Sequence, residues 1–157
     1  MIALSELTAD LQLFWQAAMG STVPTQFPGV PLDAGPLRSW MEFWVTAATE
    51  PARRTGHSQE VQILIDVHCF SRQRDKRAVF RLADQVRSTL TRQLIPLPGS
   101  TTSDTSPAAF LRLREAVSRD LTRESTPAPK LPLQHLLVSV SGLAVQGTLS
   151  DTPDDHV

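Results

Sequence analysis

Three groups of side chains have residue types suited to catalysis or ligand binding. The first is Cys69 beside His68, with Asp66 close by, which suggests a nucleophilic thiol and its base. Residues 61–70 alternate as a β-strand does, so the side chains of His68 and Cys69 should point to opposite faces. Cys69 then shares its face with aliphatic residues. We therefore expect a buried, unreactive thiol, with a small cytosolic enzyme that uses Cys69 or His68 as an alternative.

The four histidines form the second group, as possible metal ligands. They are His57, His68, His135 and His156. No two of them have the i, i+4 spacing of helical zinc ligands, and a single cysteine cannot supply a multi-cysteine zinc site. We predict that the protein has no metal site and no cofactor.

The third group is basic and lies where a helix should begin. It consists of Arg72, Arg74, Lys76 and Arg77. Because the amino end of a helix attracts anions, these residues suggest contact with DNA phosphates or with an acidic neighbour. The alternative is a solvated turn. The sequence contains neither a GxGxxG nor a GxxxxGK[ST] loop, so it does not support a nucleotide-binding fold.

Length and composition are those of one folded domain. The chain has 157 residues, of which 41% are hydrophobic and 20% are charged. One cysteine cannot form an internal disulfide. The amino-terminal residues lack the pattern of a signal peptide, and no apolar run approaches the roughly 20 residues that span a bilayer. We expect neither a secreted, disulfide-held protein nor a membrane protein.

Charge is distributed unevenly along the chain. Residues 1–52 carry one basic and five acidic side chains, residues 53–92 carry nine and four, and residues 93–157 carry five and seven. The net charge of −1 does not indicate a nucleic-acid-binding protein. A basic middle between acidic flanks favours head-to-tail contact between copies of the chain. A solvated helix face with loop arginines is the alternative interpretation.

Apolar residues at steps of three and four predict two helices, over residues 4–19 and 75–94. In the first helix the apolar stripe consists of Leu4, Leu7, Leu11, Phe14 and Ala18. Trp15 widens the apolar stripe of the first helix, which suggests that it faces something beyond the domain's own core. Prolines in residues 21–36 predict an extended connection with a short edge strand over residues 23–27.

Alternating side chains predict the strands, and residues 110–122 fit either a strand or a helix, of which we favour a strand. The other strands are predicted over residues 37–47, 61–70 and 133–145. Flexible or hairpin loops are predicted over residues 49–58, 95–109 and 124–132. The fold expected is α+β, a mainly antiparallel sheet with two helices packed on it in the order α-β-β-α-β-β. We predict one domain over residues 1–146 and a flexible acidic tail over residues 147–157.

Two tryptophans, Trp40 and Trp44, share a face of the strand predicted over residues 37–47. One interpretation is that the first helix covers this face. The other is a subunit interface, where tryptophan is a favoured anchor.

The stretch VQILIDVHCFSRQRDKRAVFRLADQVRSTL, residues 61–90, resembles the strand–turn–helix of tail-terminator (tail-completion) proteins of long-tailed bacteriophages. The matching pieces are Phe70-Ser71-Arg72, Leu82-Ala83-Asp84, and Val86 with Leu90. The surrounding plan is similar too, with an N-terminal helix, a proline-rich connection, a hairpin with a long loop and a closing β-hairpin.

The resemblance implies a non-enzymatic virion subunit that forms a ring, typically hexameric, on the last ring of the tail tube. Such a ring stops tube growth and presents a surface to the head connector or head-closure protein, and DNA passes through its lumen. The implied location is the tail–neck junction, after assembly in the host cytoplasm. A neck or head-closure adaptor of the same virion is the alternative. We place subunit, partner or lumen contacts on Arg53, Arg54, Arg72, Arg74, Arg77, Trp40 and Trp44.

Overall fold

The computed structural model describes residues 2–20, 22–49, 59–98, 109–122 and 133–146. Within them the chain is α+β, with two helices on a mostly antiparallel, curled sheet of seven strands. The helices are α1 (Leu4–Met19) and α2 (Arg77–Leu90). The strands are β1 (Thr25–Gln26), β2 (Ser39–Thr49), β3 (Gln59–Ser71), β4 (Leu94–Pro96), β5 (Ala109–Leu113), β6 (Val117–Asp120) and β7 (Gln134–Gln146). Of the loops predicted over residues 49–58, 95–109 and 124–132, residues 50–58, 99–108 and 124–132 lie outside the described residues, and so does the predicted tail over residues 147–157.

Strand β7 lies at the centre of the sheet, whose order is β1-β2-β3-β7-β5-β4. One edge of β7 pairs with β3 from Gln134 to Gln146. Its other edge is shared between β6, which pairs with residues 136–139, and β5, which pairs with residues 142–146. The short edge strand β1 runs parallel to β2, and the other pairs are antiparallel. The short edge strand predicted in the proline-rich connection is therefore confirmed.

The helices cover one face of the sheet, because alternate residues of β2, β3 and β7 form a continuous apolar surface there. The buried members are Met41, Phe43, Val61, Ile63, Ile65, Val67, Cys69, Leu136, Val138, Val140 and Ala144. The predicted apolar stripe of α2 packs on this surface. Of the helices described, neither is long and apolar enough to cross a membrane.

Trp15 lies in the core, and the prediction that it faces something beyond the domain is wrong. Only 1% of its surface is exposed, and its ring centroid lies 5.0 Å from that of Phe43 on β2. Its Nε1 donates to Oγ1 of Thr25 at 3.2 Å. Leu4, which was predicted to lie on the buried stripe, is 52% exposed. The buried side of α1 is therefore centred on a line through Leu7, Leu11 and Trp15.

Helix α2 ends four residues earlier than predicted, at Leu90. Arg92 has a φ of +56°, a left-handed conformation that cannot continue a helix. Leu94 therefore begins strand β4, in a region where a polar loop was predicted from residue 95 onward. Ile95 and Leu97 are buried, because their alternation directs both side chains into the core.

The preference for a strand over residues 110–122 is confirmed, but two strands replace one. Strand β5 ends at Leu113 and β6 begins at Val117. In the short break between them, the backbone N–H of Arg114 donates to the carbonyl of Ser141 on β7. The break lets one stretch of chain pair with β7 at two successive places.

Candidate functional site

The face of the sheet away from the helices has no covering layer among the described residues, and we call it the open sheet face. We define it by side chains of β2, β3, β6 and β7 that alternate with the buried row. They include Trp40, Glu42, Trp44, Leu64, Asp66, His68, Phe70, Val117, Arg119, His135, Leu137, Ser139, Ser141 and Leu143. The register places Trp44, Asp66 and Ser139 side by side across three strands. Trp44, Leu64 and Leu137 are half-buried, and Val117 is 67% exposed.

Aromatic rings form a stacked column across one end of the open sheet face. Trp40 stacks on Phe70 at 4.9 Å between ring centroids, and Phe70 stacks on His135 at 4.4 Å. Nδ1 of His68 lies 2.8 Å from Nε2 of His135, so one ring donates a hydrogen bond to the other. The column arises because Trp40, Phe70 and His135 are direct partners in the register of β2, β3 and β7.

Arg72 closes the column and fixes the connection that precedes β2. Its guanidinium lies over the Trp40 ring, 4.8 Å from the centroid. Its Nη1 donates to the carbonyl oxygens of Ala34, Gly35 and Leu37 at 2.6, 3.0 and 2.7 Å. The sequence analysis placed Arg72 among the partner or lumen contacts. In the structure its side chain binds the chain's own backbone.

We expect Arg72→Ala to lower the free energy of unfolding of the isolated protein by about 1–2 kcal/mol, because three carbonyls and the Trp40 face are left without a charged donor. Arg74→Ala, two residues along the same exposed turn, should change it by less than about 0.5 kcal/mol. Urea unfolding followed by circular dichroism compares the two variants. Equal unfolding midpoints would show that the Arg72 side chain contributes nothing to the fold.

The two tryptophans offer a partner different amounts of surface. Trp40 is only 5% exposed, because Phe70 and Arg72 cover its ring. Trp44 is half-buried. The interpretation that α1 covers both is wrong, since α1 packs against Phe43 on the opposite face of β2. Of the two, Trp44 is the one that retains surface for an interface.

The basic cluster at the start of α2 separates into paired and unpaired side chains. Nζ of Lys76 lies 2.9 Å from Oδ2 of Asp120 on β6. Hydrogen bonds from the side chain and backbone of Thr122, and then the contact with Lys76, lower the pKa of Asp120 to about 2. Arg74 and Arg77 are exposed, and no described residue pairs with their guanidinium groups. Arg53 and Arg54, which were predicted along with Arg74 and Arg77 to contact a partner or the lumen, lie outside the described residues.

Cys69 and His68 point to opposite faces of β3, as their alternation predicts. Cys69 is fully buried among aliphatic side chains, and desolvation raises the pKa of its thiol to about 12. A thiolate is the nucleophilic form, so this burial opposes the chemistry that the neighbouring residue types suggested. The geometry supplies no hydrogen bond between the thiol and the His68 ring.

His68 and His135 meet although they lie 67 positions apart in the sequence. Asp66, two residues before His68, is held instead by hydroxyls, since Ser139 and Thr46 both donate to its carboxylate. Among the described residues, no three His, Cys, Asp or Glu side chains are grouped as metal ligands. His57 and His156 lie outside the described residues.

The sequence analysis named Phe70 and His135 but did not predict that their rings stack in the column. Phe70 was identified as part of the aromatic-Ser-Arg turn, and His135 only as a possible metal ligand. Period-two alternation placed each on a strand face, but the register between β3 and β7 decides that they touch. No signal within either segment alone specifies that register.

Compared with protein-family models and with curated proteins, the chain matches none.

Proposed function

We propose that this protein is a ring-forming virion subunit of a long-tailed bacteriophage. Like the tail-terminator proteins that it resembles over residues 61–90, it caps the tail tube, stops tube growth and joins the tail to the head connector. The ring, most simply a hexamer, encloses a lumen through which DNA passes. The protein acts through surfaces rather than through a catalytic group.

The open sheet face is the observation that supports this proposal best. A single layer of two helices covers one side of the sheet, and half-buried Trp44, Leu64 and Leu137 remain on the other. Apolar side chains that remain accessible on an uncovered sheet face are typical of protein–protein interfaces, and tryptophan is a preferred anchor in them. Asp66 and Ser139 lie between these apolar side chains with their hydrogen bonds already made, so burying them in an interface carries a reduced desolvation cost.

The charges on α2 and on the amino-terminal residues support contact between oppositely charged surfaces of neighbouring subunits. A ring requires that two different surfaces of the subunit meet in this way. Arg74 and Arg77 are exposed without partners among the described residues, together with Arg81 and Arg87 along α2. Residues 2–37, which include all of α1, contain no lysine or arginine, and of their acidic residues Glu6 and Asp33 are exposed whereas Asp10 is buried. Opposite charges on different parts of one subunit favour head-to-tail association.

Light scattering at several protein and salt concentrations measures the assembly directly. We expect a discrete species near six times the 17.3 kDa of one chain, and electron microscopy should show closed rings with an open lumen. Trp44→Arg should dissociate the ring, because it places a cation in the apolar part of the interface. Leu94→Arg, at an exposed leucine of β4 outside both proposed contact surfaces, is the matched control and should leave the ring intact.

Two results would contradict the proposal. One is a monomer at every concentration that also fails to cap tubes of the tail tube protein from the same virion. The other is an assembly that both variants leave unchanged. A ring that binds the head connector but leaves tube growth unaffected would favour the neck adaptor instead.

A further inference from the structure

A cavity of about 630 Å³ opens where β4, β5 and β7 meet, and we call it the arginine pocket. The described residues that line it are Arg92, Arg112, Leu113, Arg114, Glu115 and Leu143. The volume falls within the range of small-ligand sites, roughly 300–1,000 Å³. Three of the six side chains are guanidinium groups, so the pocket has the composition of an anion site.

The backbone holds these arginines together from two directions. Arg92 follows α2 in the left-handed conformation, and its N–H donates to the carbonyl of Arg114 at 3.1 Å. The N–H of Leu113 donates back to the carbonyl of Gln93 at 2.8 Å. The end of α2 and the end of β5 are thereby fixed to each other. Arg92 and Arg114 are consequently neighbours although more than twenty residues separate them.

The arrangement of β5 brings the third arginine to the same place. Arg112 pairs with Leu143 of β7 on one side and with Leu94 of β4 on the other. Residues 112 and 114 are two positions apart, so an extended chain directs both side chains toward the same side. Leu113 points the opposite way and is buried, which anchors the strand beneath the pocket.

Positive charge in the arginine pocket exceeds negative charge. Nη2 of Arg92 lies 3.1 Å from Oε1 of Glu115, but these side chains are 75% and 71% exposed, so the ion pair contributes little. Arg112 and Arg114 are exposed, and their guanidinium groups form no hydrogen bond or ion pair with any described residue. No described residue therefore competes with an anion for these two guanidinium groups.

We propose that the arginine pocket binds a phosphate group, either that of a DNA backbone or free inorganic phosphate. Guanidinium groups present paired N–H donors in a plane, which match phosphate oxygens two at a time. The volume exceeds what one phosphate fills, so a sugar–phosphate segment also has room. This site does not depend on the ring proposal, because the described residues that line it all belong to one chain.

Binding is measured by fluorescence anisotropy with a labelled duplex oligonucleotide at several salt concentrations, and by calorimetry with inorganic phosphate. The test variant is Arg112→Gln with Arg114→Gln, which we expect to weaken binding by about tenfold or more. For this variant, the slope of the logarithm of the DNA-binding constant against the logarithm of the salt concentration should be less steep by about two. Each arginine removed leaves one phosphate without its cation. The control is Arg38→Gln, which removes a positive charge from an exposed side chain that belongs neither to the pocket nor to the proposed ring contacts, and should change affinity by less than about threefold.

The outcomes separate the two sources of phosphate. Phosphate that binds and displaces the oligonucleotide indicates a site for the free anion, whereas an oligonucleotide that phosphate fails to displace indicates the DNA backbone. Absence of binding by both probes, or equal weakening in the test and control variants, overturns the proposal. Light scattering of the test variant shows whether it still forms rings, which distinguishes a loss of phosphate binding from a loss of assembly. Circular dichroism confirms that the variant folds.

Discussion

Replacing Trp15 with alanine should lower the free energy of unfolding by about 3–5 kcal/mol, the usual cost of truncating a large buried side chain. Trp15 is 1% exposed and joins α1 to β2 through the Phe43 ring and to β1 through the hydroxyl of Thr25. Alanine preserves helix propensity, so the destabilisation reports packing rather than helix formation. Urea unfolding followed by far-ultraviolet circular dichroism measures it without depending on tryptophan emission.

The matched control for Trp15→Ala is Leu13→Ala on the same helix. Leu13 is 63% exposed, so its truncation should change the free energy of unfolding by less than about 0.5 kcal/mol. If Trp15→Ala unfolds at the same urea concentration as Leu13→Ala, α1 does not dock through Trp15. The orientation of the helix on the sheet would then have to differ from the one described.

Replacing Gly142 with valine should lower the free energy of unfolding by about 2–3 kcal/mol, because β5 packs directly against the hydrogen atom of this glycine. A Cβ at position 142 would lie 2.8 Å from Cδ1 of Leu111 and 2.8 Å from Cδ2 of Leu113. The side-chain ends can shift, but valine adds two further methyl groups near the Arg112 carbonyl, which lies 3.4 Å from the Cβ position. Urea unfolding measures the destabilisation, and faster hydrogen exchange of the β5 amides locates it.

Ser141→Val introduces the same side chain one residue earlier on β7 and serves as the control. Ser141 is exposed and points away from the core, so valine has room there and favours the strand conformation. Similar stability of the two variants would mean that β5 does not approach β7 as closely as described. Because Leu113 and Leu143 line the arginine pocket, Gly142→Val should also weaken phosphate binding.

Alternation of apolar side chains predicted the central strands well, because a half-buried strand repeats every two residues. Met41 and Phe43 on β2, and Ile63, Ile65, Val67 and Cys69 on β3, lie in the core as predicted. The ends of elements were less predictable. Leu94 continues the helical spacing of α2, yet the left-handed turn at Arg92 places it on a strand. An arginine in that conformation is stabilised by contacts with Arg114, which lies more than twenty residues further along the chain.

The candidate site was predictable only in its individual residues. Sequence reasoning identified Arg72 and Trp40, but assigned both to contacts outside the chain. Their mutual stacking and the three carbonyls bound by Arg72 depend on how β2 pairs with β3 and where residues 34–37 turn. The arginine pocket was missed for the same reason, since Arg92 lies apart from the alternating Arg112 and Arg114.

The central position of β7 sets the order in which the chain can complete its fold during synthesis. Its residues pair with β3 partners that lie 63 to 87 positions earlier in the sequence, and its other edge pairs with β5 and β6. Until β7 leaves the ribosome, β3 has a thirteen-residue edge with unpaired amides and carbonyls, and β5 and β6 have no partner on that side. Such late, long-range pairing slows folding and leaves the nascent chain open to association with its neighbours. Copies made on one polysome would meet while this edge is still open.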